Sequence, residues 1–148
     1  MNKCWSMAVL FVMCGVAYAA GGTIGLTPGR YSVTMVMSMN GKKMAPNTKS
    51  RCITTTDLQD PERIFNERFL DNFKPDPNCT ERNLKISGNR VSYGEECAKP
   101  ELSARTVHVE ATVSESGYTA VRSVKPKSPR APAMVYTISG KRTGDCAH

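Results

Sequence analysis

The sequence holds few of the side chains that enzymes use for acid–base and nucleophilic chemistry. It has only two histidines, and His148 is the last residue. The other, His108, lies between Thr106 and Glu110 on the polar side of an alternating segment, which is typical of a solvated strand residue. Glycine-rich phosphate loops and zinc-ligand spacings are absent, and no nucleophile stands beside a base in the sequence. We therefore expect no enzymatic activity and no cofactor.

Long apolar runs are equally scarce. The one such stretch covers Met7 to Val16, between Lys3 and the small-residue pattern Ala17-Tyr18-Ala19. About ten apolar residues are too few to cross a bilayer, but they match the apolar region of a secretory signal peptide. We expect a signal peptide at residues 1–19, one mature domain at residues 20–148, no transmembrane segment, and a periplasmic or secreted location.

Acidic residues are missing from Ser116 to Gly144, although the chain carries 13 Asp and Glu against 20 Lys and Arg. The same segment holds a basic loop region, with Arg122, Lys125, Lys127 and Arg130. Such a cluster indicates contact with an anionic envelope component, and the alternative is a merely solvated loop. Nucleic acid is a poor candidate partner, because no aromatic side chains interleave with these cations and export removes the chain from it.

Beyond the predicted signal peptide, phenylalanine is confined to one segment. Phe65, Phe69 and Phe73 follow one another at intervals of four, after Asp60 as a possible cap and Pro61 in a first helical turn. The spacing predicts one helix between Thr56 and Phe73, with its aromatic stripe packed on a sheet.

The rest of the chain alternates with a period of two. The pattern predicts a strand from Tyr31 to Met39 and a hairpin turn at Asn40-Gly41. The return strand is predicted at 47–54, with an irregularity at Pro46. Later alternations predict five more strands, with pairs that share one face: Ile86 with Val91, and Leu84 with Tyr93. The predicted fold class is mostly β: a single curved antiparallel sheet of about seven strands, a half-barrel or open barrel, with one helix on the concave side.

Four cysteines follow the predicted signal peptide, Cys52, Cys79, Cys97 and Cys146, and an even number in an exported chain indicates two disulfides. A simple meander places Cys79 and Cys97 at one end of the sheet and Cys146 at the other. The pairs Cys79–Cys97 and Cys52–Cys146 follow, because bridged Cα atoms must lie within about 7 Å. With Ile86 opposite Val91 and Leu84 opposite Tyr93, Cys79 is shifted by one residue from the position opposite Cys97. The strand must therefore fray or bulge.

Several spaced elements resemble one bacterial exported family. They are PGRYSVTMVMSM, APNTKSRCITTTDL, CTERNLKISGNRVSYGEEC and the terminal YTISGKRTGDC. In order and spacing these are similar to the family known as domain of unknown function thirty-six-seventeen, which commonly has tryptophan where this chain has Tyr31. The resemblance implies export, one domain and disulfides, in a Gram-negative bacterium, and it implies no activity.

Methionine offers the one chemical alternative. Met35, Met37 and Met39 are either soft ligands for Cu(I) or part of an inward, flexible strand face. The leading hypothesis is a non-enzymatic exported binding module whose concave face holds a hydrophobic ligand. The candidate lining residues are Tyr31, Met35, Met37, Met39, Phe65, Phe69 and Met134. The alternatives are Cu(I) binding by the three methionines and contact with an anionic partner through residues 122–130.

Overall fold

A computed structural model describes residues 24–65, 77–98 and 104–147. Within these ranges the chain forms one antiparallel sheet of eight strands, a 3₁₀ turn at Asp57–Gln59 and one short helix, α1, at Pro61–Phe65. The strands are β1 (Gly29–Met39), β2 (Lys42–Lys43), β3 (Asn47–Ile53), β4 (Cys79–Ser87), β5 (Arg90–Cys97), β6 (Arg105–Ser114), β7 (Gly117–Pro126) and β8 (Met134–Gly144). The mostly β class and the single antiparallel sheet are confirmed.

The strand order is β2-β1-β8-β7-β6-β5-β4, and β3 pairs with the same edge of β1 as β2 does. Strands β4 to β8 follow one another as the simple meander that the cysteine pairing assumed, and β8 then pairs with β1. The sheet is not closed into a barrel. The strand count exceeds the predicted seven because the two-residue β2 is separated from β3 at Pro46.

The turn between β1 and β2 follows the sequence signal closely. Asn40 and Gly41 both have positive φ, 49° and 82°, which is the backbone that a two-residue type I′ hairpin requires. After the turn, the Met44 amide donates to the Met37 carbonyl at 2.8 Å. Met44 itself is 48% exposed, so its side chain does not add to a buried methionine row.

The β4–β5 hairpin confirms one predicted pair and corrects the other. Ile86 lies opposite Val91 as expected, but Leu84 does not lie opposite Tyr93. A bulge between Arg82 and Lys85 puts Asn83 in the left-handed region, at a φ of 59°, and leaves Leu84 42% exposed. The irregularity expected from the cysteine phase is therefore present, and it lies in the middle of β4 rather than next to Pro77.

Both disulfides pair as expected. Cys79 lies directly opposite Cys97, with Cα atoms 4.0 Å apart, and Cys52 joins Cys146 across 5.5 Å. Arg30 of β1 faces both Cys52 and Gly144, so the second bridge ties the edge strand β3 to the end of β8. The two bridges lie at opposite ends of the sheet.

One face of the sheet, the inner face, carries the core. Burial alternates along β6 and β7, and Tyr118 of β7 packs against Tyr31 with ring centroids 6.1 Å apart. Helix α1 adds Ile64 and Phe65 to the same cluster, and both side chains are fully buried. Burying a side chain of this size stabilises a fold by about 1.5–3 kcal/mol.

Only the first part of the predicted helix falls in the described residues. The side chain of Asp60 accepts a hydrogen bond from the Glu62 amide at 3.1 Å, as the predicted cap requires. Phe69, Phe73 and the predicted signal peptide lie outside the described residues. The position of the helix on a concave side stays a prediction. No helix within the described ranges is long and apolar enough to span a membrane.

Candidate functional site

The predicted methionine row lies on the inner face where β1 meets β8. Three methionines of β1 face β8 in the pairs Met35 with Ile138, Met37 with Tyr136 and Met39 with Met134. Met35, Met37 and Met134 are partly buried against the core, whereas Met39 is 39% exposed. The Tyr136 hydroxyl lies 3.4 Å from the Met134 sulfur and donates to it. The row thus lies at the margin of the core and runs from partly buried thioethers to an exposed one.

At the exposed end of this row, the hairpin turn and the basic loop border a cavity of about 570 Å³ that is open to solvent. Met39 and Lys42 line it from the hairpin, and Arg130 lines it from the loop together with neighbouring prolines. The Asn40 amide donates to the Ala133 carbonyl at 3.3 Å, which holds the turn against the end of the loop. Apolar and cationic groups therefore share one cavity, which we call the hairpin cavity.

The four predicted anion-contact residues do not form one surface. Lys125 and Arg130 are exposed, and the Lys127 ammonium forms an ion pair with Glu96 at 3.0 Å. Arg122 lies inside the protein, with only 1% of its surface exposed. Arg122 therefore cannot contact an external anion in this fold, and the hypothesis retains only the exposed cations.

Two other predicted cavity residues belong to the closed part of the core. Tyr31 is fully buried and donates its hydroxyl to the Thr27 carbonyl at 2.6 Å. Phe65 meets the Tyr118 ring edge to face, with centroids 5.4 Å apart. These rings fill the inner face near the start of β1, and the methionine end is the more exposed part of that face.

The inner face also holds a buried ion pair, Arg122 with Glu95, that the sequence did not predict. Arg122 donates two hydrogen bonds to the Glu95 carboxylate, at 2.7 Å and 3.0 Å, and both side chains are 2% exposed. Glu95 stands on β5 and Arg122 on β7, with β6 between them. Such a fork-to-fork arrangement is the strong form of a charge-assisted hydrogen bond.

Further ionisable groups surround the pair. Burial, with the nearby Glu95 and Asp60 carboxylates, raises the pKa of Glu62 on α1 to about 7. Burial also raises the pKa of Tyr93 well above its ordinary value, and its hydroxyl has no hydrogen-bond partner among the described residues. The alternation along β5 could have identified Glu95 as an inward-facing residue, because it lies between the inward-facing Tyr93 and Cys97.

The charged cluster touches a disulfide. A carboxylate oxygen of Glu95 and the sulfurs of Cys79 and Cys97 all lie within 4.8 Å of one another, which within the described ranges is the one His, Cys, Asp and Glu group with metal-ligand spacing. Both cysteines are oxidised, so they offer no thiolate to a metal. His108 is exposed and contacts Glu110 at 3.2 Å, in agreement with its interpretation as a solvated strand residue.

The opposite face of the sheet carries two open cavities, of about 520 and 560 Å³. Hydroxyl side chains from several strands line them, including Thr112 and Thr119, which border both. Met35 and Met37 line neither of these cavities nor the hairpin cavity. Of the three β1 methionines, Met39 therefore borders the hairpin cavity directly.

Comparison with known proteins adds one finding. No curated protein and no solved structure matches the chain. A family model matches residues 26–146, which include all eight strands and all four bridged cysteines. The match agrees with the resemblance seen in the spaced motifs and the cysteine frame. The chain therefore belongs to the family described as Protein of unknown function (DUF3617).

Proposed function

We propose that this protein is an exported, non-enzymatic binding module that takes an anionic amphiphile, such as a fatty acid, at the methionine end of its sheet. The observation that carries the proposal is the hairpin cavity, in which the thioether of Met39 and the cations of Lys42 and Arg130 line one space of about 570 Å³. That volume is within the usual range of small-molecule sites. Two disulfides are typical of an exported chain.

The apolar part of the ligand would follow the methionine row. Met39 borders the cavity, and Met37 and Met35 continue inward from it on the same strand face. Methionine is unbranched and polarizable, so a row of such side chains can move to admit an alkyl chain at small cost in packing. The closed aromatic region beyond Met35 limits how far the chain can penetrate.

The anionic head would lie at the cavity mouth. Lys42 and Arg130 are exposed, and because Lys42 lies on β2 and Arg130 in the loop between β7 and β8, they approach one group from two sides. Exposed ion pairs contribute about 0.2–1 kcal/mol each and weaken as salt screens them. The two cations therefore select ligands with a negatively charged head, and most of the binding affinity comes from the alkyl chain.

The proposal is tested by titrating the purified, oxidised protein with oleate by calorimetry. The double charge reversal Lys42→Glu with Arg130→Glu should weaken binding about tenfold, through two lost contacts and new repulsion. The double reversal Lys85→Glu with Lys141→Glu changes the net charge equally on other surfaces and should leave binding unchanged. An equal loss in both double variants would mean that only the net charge matters and would overturn the site.

The apolar contribution is measured separately with oleyl alcohol, which has the same chain and no charge. Met39→Ser should weaken oleate and oleyl alcohol alike, whereas Met44→Ser, at an exposed position outside the hairpin cavity, should weaken neither. Absence of saturable oleate binding by the unaltered protein would refute the proposal.

A second candidate function rests on the position of Met134. Met39 and Met134 are directly opposite on adjacent strands, which places their Cβ atoms about 4.5–5.5 Å apart and lets two thioethers reach one Cu(I) ion. Anaerobic Cu(I) titration against a competing chelator tests this. Changing Met35, Met37 and Met39 together to leucine should abolish binding, and an unchanged affinity would eliminate this candidate.

A further inference from the structure

The disulfide Cys79–Cys97 joins two neighbouring strands at one end of the sheet. Strand β4, which carries Cys79, is the last strand in the order formed by the described residues, so no further described strand covers its outer edge. Cys79 is partly exposed, whereas Cys97 is fully buried. Cys79 is therefore the more accessible of the two cysteines to an incoming thiolate.

A cation also lies beside the Cys79 sulfur. A guanidinium nitrogen of Arg105 lies 3.8 Å from the Cys79 sulfur and donates to it. A neighbouring cation stabilises a cysteine in its thiolate form, and this is how reactive cysteines are usually activated. Once the bridge is reduced, Cys79 is thus the sulfur that carries the negative charge.

Cys97 lies in an environment that suits a thiolate less well. The Glu95 carboxylate lies within 4.8 Å of both sulfurs and does not distinguish them, but only Cys97 is fully buried. Burial favours the neutral thiol over the thiolate. The reduced pair would therefore hold one proton, on Cys97, and one negative charge, on Cys79. Cys79 is therefore the better leaving group of the two, so a second partner thiol can readily expel it from a mixed disulfide.

We propose that Cys79–Cys97 is a redox-exchange site for an exported protein dithiol, whereas Cys52–Cys146 is structural. A partner thiolate attacks the Cys79 sulfur and forms a mixed disulfide, and the bond to Cys97 breaks. Cys97 leaves with the bonding electron pair and takes a proton from water. The second partner thiol releases its proton to solvent and attacks the partner's first sulfur, which expels Cys79 as a thiolate beside Arg105. The partner is oxidised by two electrons, and this chain is reduced by two.

The two bridges also differ in what their loss does to the fold. Cys52–Cys146 closes 94 residues of sequence separation and Cys79–Cys97 closes 18. Loop-closure entropy grows with loop length, so the shorter bridge restrains the unfolded chain less. The chain can therefore open Cys79–Cys97 and keep its fold more readily than it can open the long bridge.

The test equilibrates the oxidised protein in graded mixtures of reduced and oxidised dithiothreitol, followed by acid quench, alkylation and peptide mapping. Cys79–Cys97 should open in a buffer at least tenfold less reducing than Cys52–Cys146 requires. Arg105→Gln should remove most of that difference, because the Cys79 thiolate loses its cation, whereas Arg90→Gln at the other end of β5 should not. If both bridges open together, or the long one opens first, the proposal is wrong.

A pH profile separates this chemistry from a purely structural effect of Arg105. In Cys97→Ser, the iodoacetamide reaction of Cys79 should show a midpoint roughly one unit below the ordinary cysteine pKa of about 8.5. Adding Arg105→Gln should return the midpoint to about 8.5. The free Cys52 of Cys146→Ser serves as the reference thiol. If Cys97→Ser does not fold, the dithiothreitol titration of the unaltered chain decides alone.

Discussion

Glu62 makes the stability of the fold depend on pH in a direction opposite to that of an ordinary salt-bridged acid. Its pKa rises from 4.5 to about 7 in the folded chain, because of burial first, then the neighbouring Glu95 and Asp60 carboxylates and least of all Glu81, against the opposing effect of Arg122. Below pH 4.5 the carboxyl is protonated in both the folded and the unfolded chain. Between 4.5 and 7 the unfolded chain releases the proton first, so the free energy of unfolding falls as the pH rises.

The size of the effect follows from the shift and the exposure of the side chain. Each pKa unit corresponds to 1.36 kcal/mol, so the full change would be ~3 kcal/mol. Glu62 is only half-buried, and solvent screening reduces this to about 1 kcal/mol. Glu62→Gln removes the titrating group and keeps a neutral side chain of the same shape. We therefore expect the variant to exceed the unaltered protein by about 1 kcal/mol at pH 8, and to equal it at pH 4.5.

Urea unfolding followed by circular dichroism at pH 4.5, 6 and 8 measures the difference. Glu81 has a raised pKa as well, but it is present in both proteins and cancels in the comparison. Glu115→Gln, in the exposed turn between β6 and β7, is the matched control and should change stability equally at all three values. A Glu62→Gln effect that does not vary with pH would refute the reasoning, because it would show that the carboxyl is not held protonated in the folded state.

Two further predictions concern packing. A Cβ added at Gly140 would overlap the Tyr118 ring, so Gly140→Ala should lower the free energy of unfolding by about 1–3 kcal/mol, whereas Gly25→Ala, with open space around it, should be close to neutral by the same urea assay. Arg122→Met leaves the Glu95 charge buried without its ion-pair partner and should cost about 3–5 kcal/mol, and adding Glu95→Leu should restore most of that stability. No recovery in the double variant would contradict the explanation by uncompensated charge.

The strand pattern predicted most of the fold because it depends on local information. Alternation along β1 and the Asn40-Gly41 turn together set the hairpin, and Gly88-Asn89 set the opposition of Ile86 and Val91. The predicted pairing of Leu84 was wrong because the bulge in β4 results from two register requirements, one at each end of the hairpin. The bridged cysteines at the far end of β4 and the turn at its near end require registers that differ by one residue.

The return of β8 to β1 could not be read from local alternation, because both strands suit several neighbours. The buried ion pair was missed for a related reason. Parity already placed Arg122 between the inward-facing Ala120 and Val124, but an inward arginine is acceptable only with a partner. That partner, Glu95, is identified only when the order of β5, β6 and β7 is known.

The ion pair also connects the stability of the core to the chemistry of the sulfurs. A buried pair commonly contributes no more stability than apolar side chains of similar volume, so stability alone does not account for Arg122 and Glu95 in this core. Glu95, however, lies against the Cys79–Cys97 sulfurs, and Arg122 holds its carboxylate in place at 2.7 Å. If the double variant Arg122→Met with Glu95→Leu folds and its Cys79–Cys97 bridge then opens in a different dithiothreitol mixture, the pair tunes the disulfide. If the bridge opens as before, the pair serves only to fix how β5 and β7 lie across β6.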